Sequence, residues 1–495
     1  MNPHSGTKPL GKPTGKKRAL LVIGGIAAAF AVVVLSLALL VDMKGYQSRL
    51  ESAASKALGL DVRILGDMDL ELFPPVGLSI TDLEIARAGE DVLRVERMRA
   101  YLKIFPLLLG RVRFRGLEFV RPVLSIRRTT GGPFDFERYV YRPLQAAGEI
   151  LPGGLDHIDE ISVSGGNGSY AGRDSAFRAE AEGLDLTIRD IAFQGNPGED
   201  PFRNASFSGT GKIARAAAAG AEVLDISFEM TGKNGNYEMN PITLQAFGGT
   251  GEGSIWVSLT EPTPLVQVRY SLLGSRVGQI FSASGRKRGL LEGTMALSAN
   301  LFMKGEYPDE WIGTMTGDVS RKGNDLAVLD FDPDALLSSK CAEKGTALER
   351  LGALLLPGPP VTDAARGLSG PETDGETTGE QGMIKTLVSD WAVNNGVFEA
   401  NDVAFSSKQH RIALKGKIDL PADRFTGITV ALVDDRGCAR AGRTIEGLFR
   451  SPHISDAGPA RRKAPPAETA ARKTEMAGSG AECEPFYTGS VPPPQ

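Results

Sequence analysis

Residues 19–41 read ALLVIGGIAAAFAVVVLSLALLV, without one charge, and this run constrains the chain more than any other feature. As a helix it would extend about 34 Å, enough to cross the hydrocarbon core of a bilayer. A cleaved signal peptide is the alternative, but its apolar region is normally about 7–15 residues long and ends at a small-x-small site. Leu39-Leu40-Val41 is a poor end for such a site. Residues 1–18 hold Lys8, Lys12, Lys16, Lys17 and Arg18 and no acidic residue. Lys and Arg concentrated before a span keep that flank in the cytoplasm and export the C-terminal side. The expectation is a single-pass anchor with a cytoplasmic N-terminus and the bulk of the chain exported, since no later segment is as apolar.

After the run, the pattern changes. Tyr46, Leu50, Ala54 and Leu58 follow helical spacing until Gly59 stops it. Alternation of period two, the mark of a half-buried strand, then takes over. Met68, Leu70 and Leu72 alternate with Asp67, Asp69 and Glu71. Ala100, Leu102 and Ile104 alternate with Arg99, Tyr101 and Lys103, and Val112 and Phe114 alternate with Arg111, Arg113 and Arg115. The phase slips at Gly116 and resumes with Leu117 and Phe119, which predicts a turn or bulge there. Further strands are expected over 184–188, 223–228, 254–259, 265–270, 396–400, 402–405 and 412–420. The clearest later helix is expected over 334–356. Strands repeated over hundreds of residues predict a mainly β chain built on a long antiparallel sheet. Its apolar face has too little helix to cover it.

Little in the chain points to chemistry. The net charge is -4 and there are only 4 His, so neither a polyanionic partner such as nucleic acid nor His-based catalysis is favoured. No His-Glu-x-x-His, Cys-x-x-Cys or Gly-x-Ser-x-Gly occurs. The glycine-rich stretch 248–253 lacks the Lys-Ser/Thr of a phosphate loop and opens onto a strand, so a turn between strands is the better interpretation. An enzyme is not expected, nor a cofactor or metal. The stretch 94–128 is rich in Lys and Arg, which suits either anionic head groups or the solvated face of adjacent strands. Three cysteines, Cys341, Cys438 and Cys483, allow one internal disulfide at most, and position alone does not choose it.

Residues 46–128 resemble the N-terminal region of the AsmA family. The likeness rests on Gly66, Phe73-Pro74, Gly77-Leu78 and the Pro106-Leu107-Leu108-Leu109-Gly110 run. Looser similarity continues through LQAFGGTGEGSIWVSL and WAVNNGVFEANDVAFSSKQHRIALKGKIDL to Cys483 and the C-terminal Phe486-Tyr487 segment. The resemblance implies a Gram-negative inner-membrane protein with its bulk in the periplasm, related to bridge-like lipid transfer proteins whose curled sheets form apolar grooves. It also implies a Cys438–Cys483 disulfide. The expected organisation is a cytoplasmic tail (1–18), a transmembrane helix (19–41), an AsmA-like β-groove region (42–356), a disordered insertion (357–382), an AsmA-like C-terminal β region (383–453) and a mostly disordered tail (454–495).

In that frame Leu70, Leu72, Leu102, Ile104, Val112 and Phe114 are candidates to line the groove, and Arg111, Arg113 and Arg115 to meet head groups. The expected partners are phospholipids, the inner membrane and other envelope proteins. Some 20–25 strands at about 4.8 Å spacing give a groove on the order of 100 Å. The alternative is an assembly factor for outer-membrane proteins that works through strand edges and has no continuous groove.

Overall fold

The computed structural model describes residues 43–71, 75–87, 89–103, 105–106, 113–127, 157–171, 178–193, 203–218, 221–283, 291–305, 308–329, 331–338, 347–348, 351–357, 382–457 and 483–494. The run 19–41 and most of the proposed insertion lie outside these. Among the described residues no helix is long and apolar enough to cross a membrane.

The chain begins with helix α1 (Met43–Leu58), followed by the short strands β1 (Asp61–Ile64) and β2 (Met68–Glu71). Longer strands follow: β3 (Gly77–Arg87), β4 (Glu90–Leu102), β5 (Phe114–Arg127), β6 (His157–Ala171), β7 (Arg178–Phe193), β8 (Ala205–Ala218) and β9 (Ala221–Lys233). Then come β10 (Asn236–Ala246), β11 (Gly249–Ser258), β12 (Leu265–Arg276), helix α2 (Val277–Ala283), β13 (Leu291–Glu292), β14 (Thr294–Lys304), helix α3 (Pro308–Thr314) and β15 (Thr316–Val328). Helix α4 (Pro333–Ser338) precedes β16 (Gly382–Asn394), β17 (Val397–Ser406), β18 (Arg411–Asp419), β19 (Arg424–Val433), β20 (Ala439–Leu448) and β21 (Ser451–Ala457).

All of them belong to one 21-stranded sheet. Strands pair in chain order, with β1 and β2 sharing one edge of β3 and β13 lying end to end with β14 against β15. No pairing among the described residues joins β21 to β1, so the sheet is open. It is also mixed, which corrects the expectation of a purely antiparallel sheet: β5 and β6 run parallel, Phe114 opposite Ile158. Alternation reports which residues share a face and is blind to strand direction. A parallel pair needs a long return connection, and residues 128–156 supply it.

The strands are bent. Asp82, Asp190, Asp225 and Asp325 take left-handed backbone conformations inside their strands, a conformation aspartate tolerates better than most side chains. At Asp190 and Asp225 the register with the neighbouring strand also shifts, and such bulges add local twist and bend. The phase slip expected at Gly116 is such an irregularity: Tyr101 faces Gly116, yet Leu102 faces Phe114.

Helix α1 closes the first edge of the sheet. Gln47, Glu51 and Ser55 lie four residues apart on one helical face, and all three reach the outer edge of β1. Gln47 Nε2 donates to the Ile64 carbonyl (2.7 Å), Glu51 Oε1 accepts from the Ile64 N–H (2.7 Å), and Ser55 Oγ accepts from the Val62 N–H (2.9 Å). Leu50 and Ala54 pack beside them on Val62, Ile64, Met68, Ile80, Leu83 and Val95.

At the other end the core is denser. Trp391, Phe398, Phe405, Ile412, Ile418, Phe425 and Val430 are at most 1% exposed under residues 331–357. Of the helix expected over 334–356, the described residues show α4 and helical residues at 347–348 and 351–353. On the opposite face, residues 483–494 lie over Ala404, Ala413 and Ala431, neighbours in β17–β19 whose small side chains leave room for Tyr487 and Val491. Cys438 and Cys483 form a disulfide at the start of this segment. Asp402 then accepts from the Tyr487 and Ser490 hydroxyls, and Arg411 donates to the Val491 carbonyl. The tail expected to be mostly disordered is thus ordered over 454–457 and 483–494, and residues 458–482 lie outside the described residues.

Truncating Trp391 to Ala removes the largest of these buried side chains. Its expected cost is about 3–5 kcal/mol, to be measured by urea unfolding followed through the loss of strand signal.

Candidate functional site: a continuous apolar face

Cross-strand partners share a face, so one row can be followed across the whole sheet. From β2 it runs Leu70, Leu78, Ala100, Leu117, Ile161, Ile188 and Gly209. It continues through Met230, Met239, Ile255, Val268, Leu301 and Gly317 to Val393, Phe398, Ile418 and Phe425. Every member is apolar or glycine. The neighbouring row, Met98, Phe119, Val163, Leu186, Gly211, Phe228, Ile242, Gly253, Tyr270, Ala299, Val319 and Trp391, is equally free of charge. The opposite face carries Arg189, Ser208, Thr231 and Glu238 in register.

What changes along the row is its cover. Near β1–β3 it lies beside α1, and in β16–β19 it is sealed by residues 331–357. Between them Leu117, Ile161, Ile188, Met230, Met239, Ile255, Val268 and Leu301 are all half-buried. Helix α2 borders this span on one side, touching β9, β12 and β13. The strands from β5 to β14, at about 4.8 Å each, carry this half-buried row as a trough on the order of 40 Å long, with Ile255, Val268 and Leu301 already packed against the distal core. That is well short of the length expected from the strand count, because both ends of the face are occupied by the chain itself.

Glycines shape the floor of the trough. A Cβ at Gly211 would lie 2.8 Å from Phe228 Cε1, and one at Gly251 would lie 2.6 Å from Tyr270 Cζ. Phe228 and Tyr270 therefore lie across strands that carry no side chain beneath them. The rings contribute apolar surface without filling the space above. Tyr270 pays for its position: its buried hydroxyl has no hydrogen-bond partner among the described residues, and burial pushes its pKa up to about 12. The stretch 248–253 is thus a turn only at Phe247-Gly248, and its other glycines are strand residues of β11 on the apolar face.

The proposed lining residues are only partly at this site. Leu102 and Phe114 are half-buried and face each other across β4 and β5. Leu70 starts the row but sits at the sheet edge, 39% exposed. Leu72, Ile104 and Val112 lie outside the described residues, as does Arg111. Arg113 and Arg115 are exposed near Phe114. The central rows of β6–β14 were not among the candidates, although the same alternation marks them.

One large, open, mixed sheet with an apolar face and few short helices defines the fold class. The AsmA family model matches residues 14–142, which supports AsmA family membership. The match takes in the apolar run, α1 and β1–β5. No curated protein and no solved structure matches the chain significantly. Family and fold together are consistent with a protein of the cell envelope.

Replacing Gly211 by Val forces the Phe228 ring off the sheet, with an expected cost of about 1–3 kcal/mol. Adding Phe228→Ala to that variant is expected to recover part of the loss, as a double-mutant cycle in urea would measure.

Proposed function

We propose that the trough shields the acyl chains of phospholipids in the bacterial envelope, with residues 19–41 as an inner-membrane anchor and the sheet in the periplasm. The observation that carries this is the single apolar row, sealed at its far end and only half-buried from Leu117 to Leu301. A folded chain leaves a continuous stripe of this length uncovered when something else is to cover it.

The energetics suit an acyl chain. Each methylene exposed to water costs about 0.8 kcal/mol, so two sixteen-carbon chains cost on the order of 20 kcal/mol. Contact with Leu, Ile, Val, Met and Phe side chains replaces that water. One leaflet's worth of chain is about 15 Å long, so it fits within the trough while the head group stays at the rim. No covalent step or cofactor is needed.

The competing proposal, an assembly factor acting through strand edges, has less support, because α1 occupies the outer edge of β1.

In-cell photo-crosslinking on the full chain tests the proposal. A photoreactive phenylalanine analogue in place of Met230 should capture phospholipid, and one in place of Thr231, on the polar face, should not. Leu186→Asp in the Met230-labelled chain should abolish capture while the protein still accumulates folded. Equal capture at both positions, or none at Met230, rules the groove out.

A further inference from the structure

The third row of the apolar face breaks the pattern. It runs Leu244, Gly251, Leu272 and Leu297, and then Arg321 and Ser389. Arg321 is 4% exposed, on the face whose first two rows carry no charge. Burial pulls its pKa down to about 10. Its guanidinium Nη2 donates to the carbonyls of Leu354 and Leu356, and Ser389 Oγ donates to that of Leu355 (2.7 Å). Trp391 Nε1 in turn donates to Ser389 Oγ (2.8 Å), which holds the hydroxyl in place.

Three consecutive carbonyls at the end of one turn are thus gripped by two polar residues of the sheet. The carbonyl end of a helical turn carries partial negative charge and suits a cation. The other end of the segment is fastened too. Asp334 Oδ1 in α4 accepts from Ser407 Oγ (2.5 Å), the Gln409 N–H (3.2 Å) and His410 Nδ1 (2.9 Å), all at the β17–β18 turn. Between these fastenings Leu351, Leu354 and Leu355 are at most 1% exposed, and Gly352 brings the backbone against Val430.

We propose that α4 together with residues 347–348 and 351–357 is a built-in plug that makes the groove blind-ended. This rests on the acyl-chain function above and deepens it: the chain then holds lipid between α1 and the plug and does not conduct it along the whole sheet. An acyl chain advancing past Leu301 would have to displace leucines that already fill the same face. It would also strip Arg321 of its carbonyl partners and leave a buried, unpaired cation against hydrocarbon, which is strongly unfavourable. Arg321 and Ser389 are the anchors of the plug, and their polar side chains mark where the lipid-accessible face ends.

The test maps lipid capture along the full-length protein in cells. A photoreactive phenylalanine analogue replaces Met230 or Val268 before the plug, or Ile454 in β21 beyond it. Ile454 is half-buried and pairs with the core residue Ile445. Phospholipid capture is expected at Met230 and Val268, with none above background at Ile454. Capture at Ile454 in the otherwise unaltered chain overturns the plug. Absence of capture at all three positions defeats the groove itself, and the plug with it. In the double variant Arg321→Met, Ser389→Ala, capture is expected to extend to Ile454. A folded double variant that still captures lipid only at Met230 and Val268 overturns the assignment of these two residues as anchors. Should the double variant fail to fold, the map on the unaltered chain still decides the plug.

Discussion

A sheet with one apolar face must keep that face from water, and every other arrangement in this molecule depends on how it does so. The face is the same throughout, a set of uncharged rows passed from strand to strand through backbone pairing. Its cover is not. A helix takes the first strands and a leucine-rich segment takes the last, and the middle has only the low border of α2. Burial in the distal strands is as complete as in any globular core. Half-burial in the central strands reflects missing cover, since the side chains there are of the same kind.

Edges pose the second problem for an open sheet, because an unpaired strand invites another. At its first edge the chain answers with a helix whose side chains stand in for a neighbouring strand. Gln47, Glu51 and Ser55 supply donors and acceptors at the positions a partner backbone would use. At its last edge, β21 carries Pro452, which cannot donate to a further strand. Both devices end the sheet without closing it into a barrel. The apolar face thereby stays reachable from the side.

Much of this was legible in the residues. Alternation located the strands around Leu186, Phe228, Ile255 and Val268, and the slip at Gly116 marked a real irregularity. Leu102 and Phe114 pair across β4 and β5, beside Ala100 and Leu117 of the apolar row. Three things were not legible, for one reason: local periodicity reports which side chains share a face and says nothing about distant neighbours. The parallel pairing of β5 with β6 depends on a connection, not on either strand. The exposure of Leu70 depends on its place at an edge. The leucines of 351–356 look helical and apolar, and nothing local shows that they lie on the sheet or that Arg321 waits there for their carbonyls. Glycines at period two, as in 209–211 and 249–253, were a usable signal. Gly211, Gly251 and Gly253 sit where a ring from the next strand lies across them.

The place of the plug in the chain has a consequence for how the distal core is assembled. Residues 331–357 follow β15 and precede β16, so synthesis delivers the covering segment before the strands it covers. Pairing follows chain order, so each new strand has its partner already made. When β16–β19 arrive, their apolar side chains meet a leucine cluster on a nearby tether rather than open solvent. The segment is then a template as well as a stopper, and strands at the distal end are recruited to it one after another. The last residues to be made, which cross the opposite face from Cys483 to Val491, can dock only when those strands are complete.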